Sequence, residues 1–215
     1  MTSSTFPMPA VETRGVDVRD ALRRRRMTRA FDGTELDEDR LVELCAEAMR
    51  APTAGNARGV EAVVLAGAKG VRAYLDAATD EVWRATSARI DGLTAAGGAV
   101  VVVCDPGAYA ARYTTPDKAS SSLGDVAAWP VPYWHADAAF FTMALLLLAE
   151  DQGLGACFLG AFRNQAELLG AVRAPTGTLL FGTVLLGGAA SVQAGSSSTQ
   201  RPGPTRAERV RRGRF

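Results

Sequence analysis

The most constraining feature of this sequence is a run of apolar residues from Ala138 to Ala149, interrupted only by Thr142. The run is shorter than the roughly 20 apolar residues that a membrane-spanning helix requires, so we expect no membrane association. A helix that is apolar on every side has to be covered by other elements of a domain. We therefore expect residues 134–152 to form a helix buried in the core, which the Gly-Leu-Gly segment at 153–155 ends.

Shorter segments with helical or strand periodicity surround this run. They mix without the regular alternation of a doubly wound sheet, which favours an α+β fold. The length of 215 residues fits a flexible leader at residues 1–15 and a single domain at residues 16–215. Further helices are predicted at residues 17–27, 37–50, 71–89 and 164–172, and strands at residues 60–66, 99–104 and 179–186.

The positive charge is concentrated near the two ends of the chain. The formal net charge is +1, yet six of the 24 basic residues lie at positions 19–29 and six at positions 201–214. A nucleic-acid-binding module would show a basic face over the whole domain together with a recognisable motif for reading bases, so we expect no nucleic-acid partner. The arginines at 23–29 either form a solvated helix face or bind a phosphate through paired hydrogen bonds.

Several classes of metal site and nucleophile are excluded by composition. The single histidine, His135, rules out a metal site built from several histidines, and no nucleophile elbow lies near it. Cys45, Cys104 and Cys157 are odd in number and set among apolar residues, which predicts reduced, packed thiols and no metal. The N-terminus lacks the basic and apolar regions of a secretory signal, which predicts a cytoplasmic protein. The reactivity of an enzyme of this composition would come from a bound cofactor.

Residues 105–133 form a segment rich in Gly, Pro, Ser, Asp and Tyr without a clear period. Connections of this length in a compact domain tend to be lids or binding loops. The segment leads into three large aromatic residues, Trp129, Tyr133 and Trp134, which stand beside two prolines. These side chains are predicted to line a substrate pocket, with inward packing as core residues the alternative.

Four segments, taken in order, resemble the nitroreductase family of FMN-dependent oxidoreductases. Residues 25–31, Arg-Arg-Met-Thr-Arg-Ala-Phe, resemble its opening Arg-Arg-Ser-x-Arg-x-Phe motif. Residues 51–56, Ala-Pro-Thr-Ala-Gly-Asn, resemble its Ala-Pro-Ser-x-x-Asn turn. The apolar helix with residues 153–162, and the strand end at 184–187 with its basic tail, complete the match over roughly residues 17–215. The Pro-Val-Pro-Tyr-Trp segment at 130–134 resembles an actinobacterial-like subgroup.

This resemblance implies an α/β sandwich with a central, mostly antiparallel sheet flanked by helices. It also implies an intertwined homodimer with two FMN sites at the subunit interface. The first motif and the tail would surround the phosphate and ribityl chain, the turn would approach the flavin ring from the partner subunit, and residues after the apolar helix would lie along the ring. The corresponding positions are Arg25, Arg26, Met27, Arg29, Arg201, Pro52, Thr53, Ala54, Asn56, Phe158, Leu159 and Gly160.

The activity that the resemblance implies is ping-pong hydride transfer through flavin N5, with NADH or NADPH as the electron donor. A flat, conjugated or aromatic small molecule of nitro, quinone or enone type would be reduced, and no catalytic acid or base is needed for the first step. Two departures from the family pattern keep other functions open. Met27 replaces a common serine, and Arg58 replaces a common glutamine and would stabilise reduced flavin, recruit an acidic substrate or turn outward to water. The alternatives are a flavin-dependent dehydrogenase or oxidase of a biosynthetic pathway and a non-catalytic flavin-binding protein.

Overall fold

The computed structural model describes residues 15–160, 162–193 and 202–213. Within these ranges, helices pack around the strands of one sheet. The helices are α1 (Val18–Arg24), α2 (Glu38–Ala48), α3 (Gly67–Ala78), α4 (Glu81–Thr86), α5 (Ile90–Thr94), α6 (Pro106–Tyr113), α7 (Tyr133–Asp151) and α8 (Gln165–Ala171). The strands are β1 (Val60–Ala66), β2 (Gly98–Cys104), β3 (Gly155–Leu159) and β4 (Leu179–Gly187).

The sheet has the strand order β1-β2-β4-β3, and each neighbouring pair is antiparallel. The β2 strand is buried along its whole length. Because side chains alternate along a strand, Val100 and Val102 pack in the cluster formed with α2 and α7, and Val101 and Val103 pack in the cluster formed with α3 and α8. Helices therefore cover both faces of the sheet, which confirms the predicted α+β sandwich with an antiparallel core.

The apolar helix α7 begins and ends within one residue of its predicted bounds. One face, which includes Phe141 and Leu145, is buried against the sheet and α2. On the opposite face Phe140 keeps 51% of its surface exposed and Met143 keeps 36%. The expectation of a helix buried on every side is therefore wrong for the single chain, because no described element covers this second apolar face.

The helix predicted at residues 71–89 is divided in two. The Thr79 hydroxyl donates a hydrogen bond to the Leu75 carbonyl, where α3 ends. The Asp80 carboxylate then accepts the Trp83 N–H at 2.6 Å and caps α4. Short polar side chains of this kind compete with helix continuation and favour caps, which explains the break.

The segment at residues 105–133 contains more regular structure than its composition indicated. The Asp105 carboxylate accepts the Gly107 N–H at 2.8 Å and caps α6, with Pro106 in its first turn. The β3 strand, directly after α7, was not predicted, because its five residues are too few to show a period. Cys45, Cys104 and Cys157 are buried and unpaired, as expected. Among the described residues, no helix has the length and apolar character needed to span a membrane.

Candidate functional site

The N-terminal arginines lie where α1 ends and the chain turns toward the sheet. Arg26 Nη1 donates hydrogen bonds to the carbonyl oxygens of Arg24 and Arg25, at 2.9 and 3.0 Å, and so satisfies the C-terminus of α1. The chain then follows β3, where the Thr28 N–H donates to the Ala156 carbonyl at 2.9 Å. This hydrogen bond brings the first motif beside the segment that follows the apolar helix.

Four arginines from the two ends of the chain line a single cavity of about 540 Å³. Arg23, Arg25 and Arg26 come from the end of α1, and Arg206 comes from the tail, with Leu22 as the remaining lining residue. No carboxylate lines this cavity. A phosphate monoester carries up to two negative charges, and guanidinium groups bind it through charge-assisted hydrogen bonds, so this donor set fits the phosphate of FMN. Arg201, the tail residue that the sequence predicted for this role, lies outside the described residues.

A second cavity of about 360 Å³ brings together Arg29 and the segment Phe158, Leu159 and Gly160. These residues come from two predicted cofactor-binding motifs that are far apart in the sequence. Helices α3 to α5 close the other side with both aromatic and cationic groups. The further lining residues are Tyr74, Leu75, Ala78, Thr79, Trp83, Arg89, Leu93, Phe162 and Arg163. We refer to this space as the ring cavity.

The wall of the ring cavity is fixed by contacts to the first motif. The Phe158 N–H donates to Met27 Sδ at 3.4 Å, so the residue that replaces the family's serine supports β3. Gln193 Nε2 donates to the Ala30 carbonyl at 2.6 Å, and Gln193 Oε1 accepts the Arg29 N–H at 3.2 Å. Gln193, in the Gly/Ser/Gln-rich segment at residues 187–200, therefore holds the first motif in place, and residues 194–200 lie outside the described ranges.

Positive charge dominates the ring cavity. Burial raises the pKa of the Cys157 thiol, whereas the charges of Arg29 and Arg89 act to lower it. Arg29, Arg89 and Arg163 line the cavity, and no carboxylate is among its lining residues. Sequence reasoning missed Arg89 and Trp83, because neither belongs to a motif and both were assigned to one continuous helix.

The second predicted motif, at residues 51–56, borders a different cavity of about 500 Å³, here called the turn cavity. The lining residues are Met49, Arg50, Ala51, Pro52, Thr53, Asn56, Arg58, Val60, Asp137 and Phe141. A single 3₁₀ turn spans Ala54–Asn56. The backbone is left-handed at Gly55, Asn56 and Arg58, with φ angles of 61°, 56° and 56°.

The turn is clamped from α6 and α7. Asp137 Oδ2 accepts hydrogen bonds from the Ala54 N–H and the Tyr109 hydroxyl, both at 2.8 Å. Arg112 Nε donates to the Gly55 carbonyl at 2.7 Å and is itself held by Asp117. Burial, and then the hydrogen bond to Asp137, raise the pKa of Tyr109, which therefore remains a donor. Sequence reasoning missed Asp137, for which the only signal was an acidic residue at the edge of an apolar run.

The three predicted substrate residues occupy two environments. Trp129 and Trp134 are only 9% and 7% exposed, and they pack edge-on against Tyr109 with ring centroids 5.9 and 6.1 Å apart. These two side chains are placed as in the core alternative, whereas Tyr133 is 43% exposed. In the single chain none of the three lines the ring cavity or the turn cavity. Their role toward substrate stays a prediction.

The predicted cofactor residues thus fall into two groups within one chain. The arginine-lined cavity and the ring cavity contain Arg25, Arg26, Arg29 and residues 158–160, whereas the turn cavity contains Pro52, Thr53 and Asn56. The turn cavity and the ring cavity share no lining residue. Such a separation is expected if the two halves of one site come from different subunits.

Comparison with known proteins gives one family and many related structures. The sequence model of the nitroreductase family matches residues 22–187. The nitroreductase CinD from Lactococcus lactis, in complex with nicotinic acid, is 19% identical and superposes with a TM-score of 0.70 over 92% of this chain and 100% of that chain. A nitroreductase from Exiguobacterium sibiricum in complex with FMN is 15% identical, with a TM-score of 0.65 over 84% and 92% of the two chains.

An enone reductase of a gut-bacterial fatty acid saturation metabolism is similar to the same degree. It is 18% identical, with a TM-score of 0.65 over 88% of this chain and 98% of that chain. Superpositions of this quality at such low sequence identity show a shared fold and nothing beyond it. No curated protein sequence matches the chain significantly.

Proposed function

Because the chain belongs to the nitroreductase family, we propose that it is an FMN-dependent oxidoreductase that takes electrons from NADH or NADPH. Its substrate is a flat, conjugated or aromatic small molecule of nitro, quinone or enone type. The observation that carries this proposal is a pair of cavities, one at the end of α1 and one at the end of β3. The first presents four arginines to a phosphate, and the second presents aromatic walls and three further arginines to a planar ring.

The phosphate and the ring of the cofactor would bind in different cavities. Arg25, Arg26 and Arg206 would bind the phosphate, where paired hydrogen bonds from guanidinium groups combine charge with direction. Phe158, Leu159 and Gly160 would lie along the ring, with Met27 behind them. The presence of FMN in the structure from Exiguobacterium sibiricum and of nicotinic acid in CinD supports a flavin site and a nicotinamide-sized space in this fold.

In the proposed mechanism, bound FMN supplies hydride acceptance and donation at its N5 atom. The protein contributes orientation and charge. Arg29 and Arg89 place fixed positive charge beside the ring, which favours the negative charge that reduction adds. Phe158 and Trp83 line the ring cavity and would cover part of a bound ring, which would strengthen these charge interactions. A protein acid or base is not required for hydride transfer, so no catalytic residue is assigned.

We further propose that the functional unit is a homodimer. The exposed apolar face of α7, with Phe140 and Met143, would be covered by a second copy of the chain. The turn at Pro52 to Asn56 would then approach the ring cavity of the partner subunit. Two cavities that are separate in one chain would then lie side by side around one flavin ring in the dimer.

The absorption spectrum of the purified protein tests this function directly. We expect the two visible bands of a bound flavin, retained after gel filtration and released as FMN on denaturation. Anaerobic addition of NADH or NADPH should bleach these bands, and a nitro compound or quinone should restore them. Protein that neither contains nor takes up FMN would contradict the proposal. Protein that binds FMN without being reduced by either nucleotide would instead be the non-catalytic flavin-binding alternative.

A further inference from the structure

The turn cavity combines an apolar floor with a cationic rim. Val60 and Phe141 belong to the buried core and form the floor. Arg50 and Arg58 form the rim. A cavity of this kind suits a ligand that is apolar over most of its surface and negatively charged at one end.

The two rim arginines are not neutralised by strong partners. Arg50 pairs with Glu47 at 3.5 Å, but both side chains are mostly exposed, at 78% and 58%, so water and salt screen the pair. Arg58 Nε donates one long hydrogen bond, 3.3 Å, to the neutral Asn56 Oδ1. Both guanidinium groups therefore retain donors and charge for a ligand.

The one carboxylate that lines the cavity is already engaged elsewhere. Asp137 is 2% exposed, and its Oδ2 atom accepts hydrogen bonds from the Ala54 N–H and the Tyr109 hydroxyl. These contacts direct the carboxylate toward the turn and α6. The charge at the rim of the cavity is therefore positive.

The backbone at Arg58 is left-handed. Its φ of 56° lies in a region that Gly, Asn and Asp adopt more readily than arginine. Strained conformations of this kind persist where the surrounding structure imposes them, and they cluster at functional sites. The Arg58 side chain lines the cavity together with Val60.

We propose that the turn cavity is a specificity subsite for a carboxylate, so that the oxidoreductase favours flat aromatic substrates that carry a negative charge. Arg58, with Arg50, binds the carboxylate, and the ring of the substrate lies over Val60 and Phe141. This inference rests on the proposed function, because it requires that the turn cavity adjoin the flavin ring of the partner subunit.

Charge selectivity measured on matched substrates tests the inference. The substrates are para-nitrobenzoate and para-nitrobenzyl alcohol, which differ in charge and share the nitroaromatic ring. Arg58→Gln removes the charge and keeps the same left-handed backbone requirement. The ratio of kcat/KM for the acid to kcat/KM for the alcohol should fall about tenfold or more in this variant, as expected for the loss of a hydrogen bond to a charged group. Arg72→Gln, an exposed change on α3 at the other face of the sheet, should leave the ratio at the wild-type value.

A binding measurement separates failure of this inference from failure of the proposed function. Calorimetry with benzoate and with benzyl alcohol needs no turnover, and benzoate should bind more tightly to the wild-type protein and lose that preference in Arg58→Gln. An unchanged rate ratio together with an unchanged benzoate affinity in Arg58→Gln would overturn the carboxylate subsite while leaving the flavin function intact. Absence of flavin together with a selective, Arg58-dependent benzoate affinity would overturn the function, and with it the specificity role, and leave a carboxylate-binding cavity.

Discussion

At the scale of single residues, the structure separates the roles of two arginines that the sequence motif groups together. Arg25 lines the four-arginine cavity, whereas Arg29 lines the ring cavity. Arg25→Ala should weaken FMN binding by about 1.5 to 3 kcal/mol, the range for hydrogen bonds to charged groups, and leave riboflavin binding nearly unchanged. Arg29→Ala should weaken the binding of both ligands. Dissociation constants from fluorescence titration of each variant with FMN and with riboflavin provide the measurement.

The matched control is Arg72→Ala, which removes an exposed arginine of α3 that lines neither cavity. It should change neither dissociation constant. Equal losses of FMN and riboflavin affinity in Arg25→Ala would show that Arg25 supports the ring or the fold and does not bind phosphate.

Cys45 gives a pH dependence of stability whose sign follows from burial. Burial raises the pKa of its thiol to about 11, from about 9 in the unfolded chain. Between these two pH values the unfolded state loses a proton that the folded state keeps, so the contribution of Cys45 to stability is complete below pH 9 and is lost as the pH rises toward 11. Urea unfolding at pH 8 and at pH 10.5 should show a smaller decrease in unfolding free energy for Cys45→Val than for the wild type. An identical decrease in both proteins would show that Cys45 ionises equally in the folded and unfolded states.

At the scale of elements, the sequence predicted those whose signals are local. The helices predicted to begin at residues 17 and 37 begin within one residue of these positions, and the side chains of Asp17 and Asp37 cap α1 and α2 by accepting backbone N–H groups. The sequence did not reveal the helix break at Asp80, because a single cap residue does not interrupt the periodicity around it. It did not reveal strand β3 either, because five residues are too few to show a period. The clamp on the turn was also hidden, because Arg112 and Asp137 reach it from helices far along the chain.

Gly55 lies in the clamped turn at a position that has no room for a larger side chain. Its φ is 61°, and a Cβ atom there would lie 2.7 Å from the Tyr113 ring. Gly55→Ala should therefore lower the free energy of unfolding by about 1 to 3 kcal/mol and weaken FMN binding, because the turn that faces the ring must shift. Gly153→Ala is the control, since Gly153 has a φ of 69° but open space around it, and it should cost the backbone strain alone. Urea unfolding and FMN titration measure both effects, and equal behaviour of the two variants would show that contact with Tyr113 does not hold the turn.

At the scale of the whole molecule, the cofactor residues predicted from the sequence fall into two groups that do not share a cavity within one chain. Residues 25–29 and 158–160 meet because β3 runs beside the first motif, a contact that neither motif reveals alone. The turn at residues 51–56 remains apart. The family resemblance predicted that the turn would contribute to the site of the partner subunit. The exposed apolar face of α7, by contrast, could be recognised only in the folded chain.

The proposed homodimer would cover that exposed face. Phe140→Glu places a charge at the centre of the apolar face of α7 and should convert a dimer into a monomer with reduced FMN occupancy. Val82→Glu, at a 73% exposed position on α4, should leave a dimer with full occupancy. Light scattering coupled to gel filtration, with absorbance read at the flavin band, reports both quantities. A wild-type protein that is monomeric and fully loaded with FMN would contradict the shared site.

The meeting of Arg206 with Arg25 and Arg26 in one cavity has a consequence for the lifetime of the protein. In the proposed complex, a phosphate held there would link the end of α1 to the C-terminal tail, and it would engage arginines, the residues after which trypsin-like proteases cut. Any ligand that binds only the folded form also lowers the population of opened chains by mass action. Flavin supply would thereby set how long each molecule survives, and chains made without cofactor would be the first to be degraded.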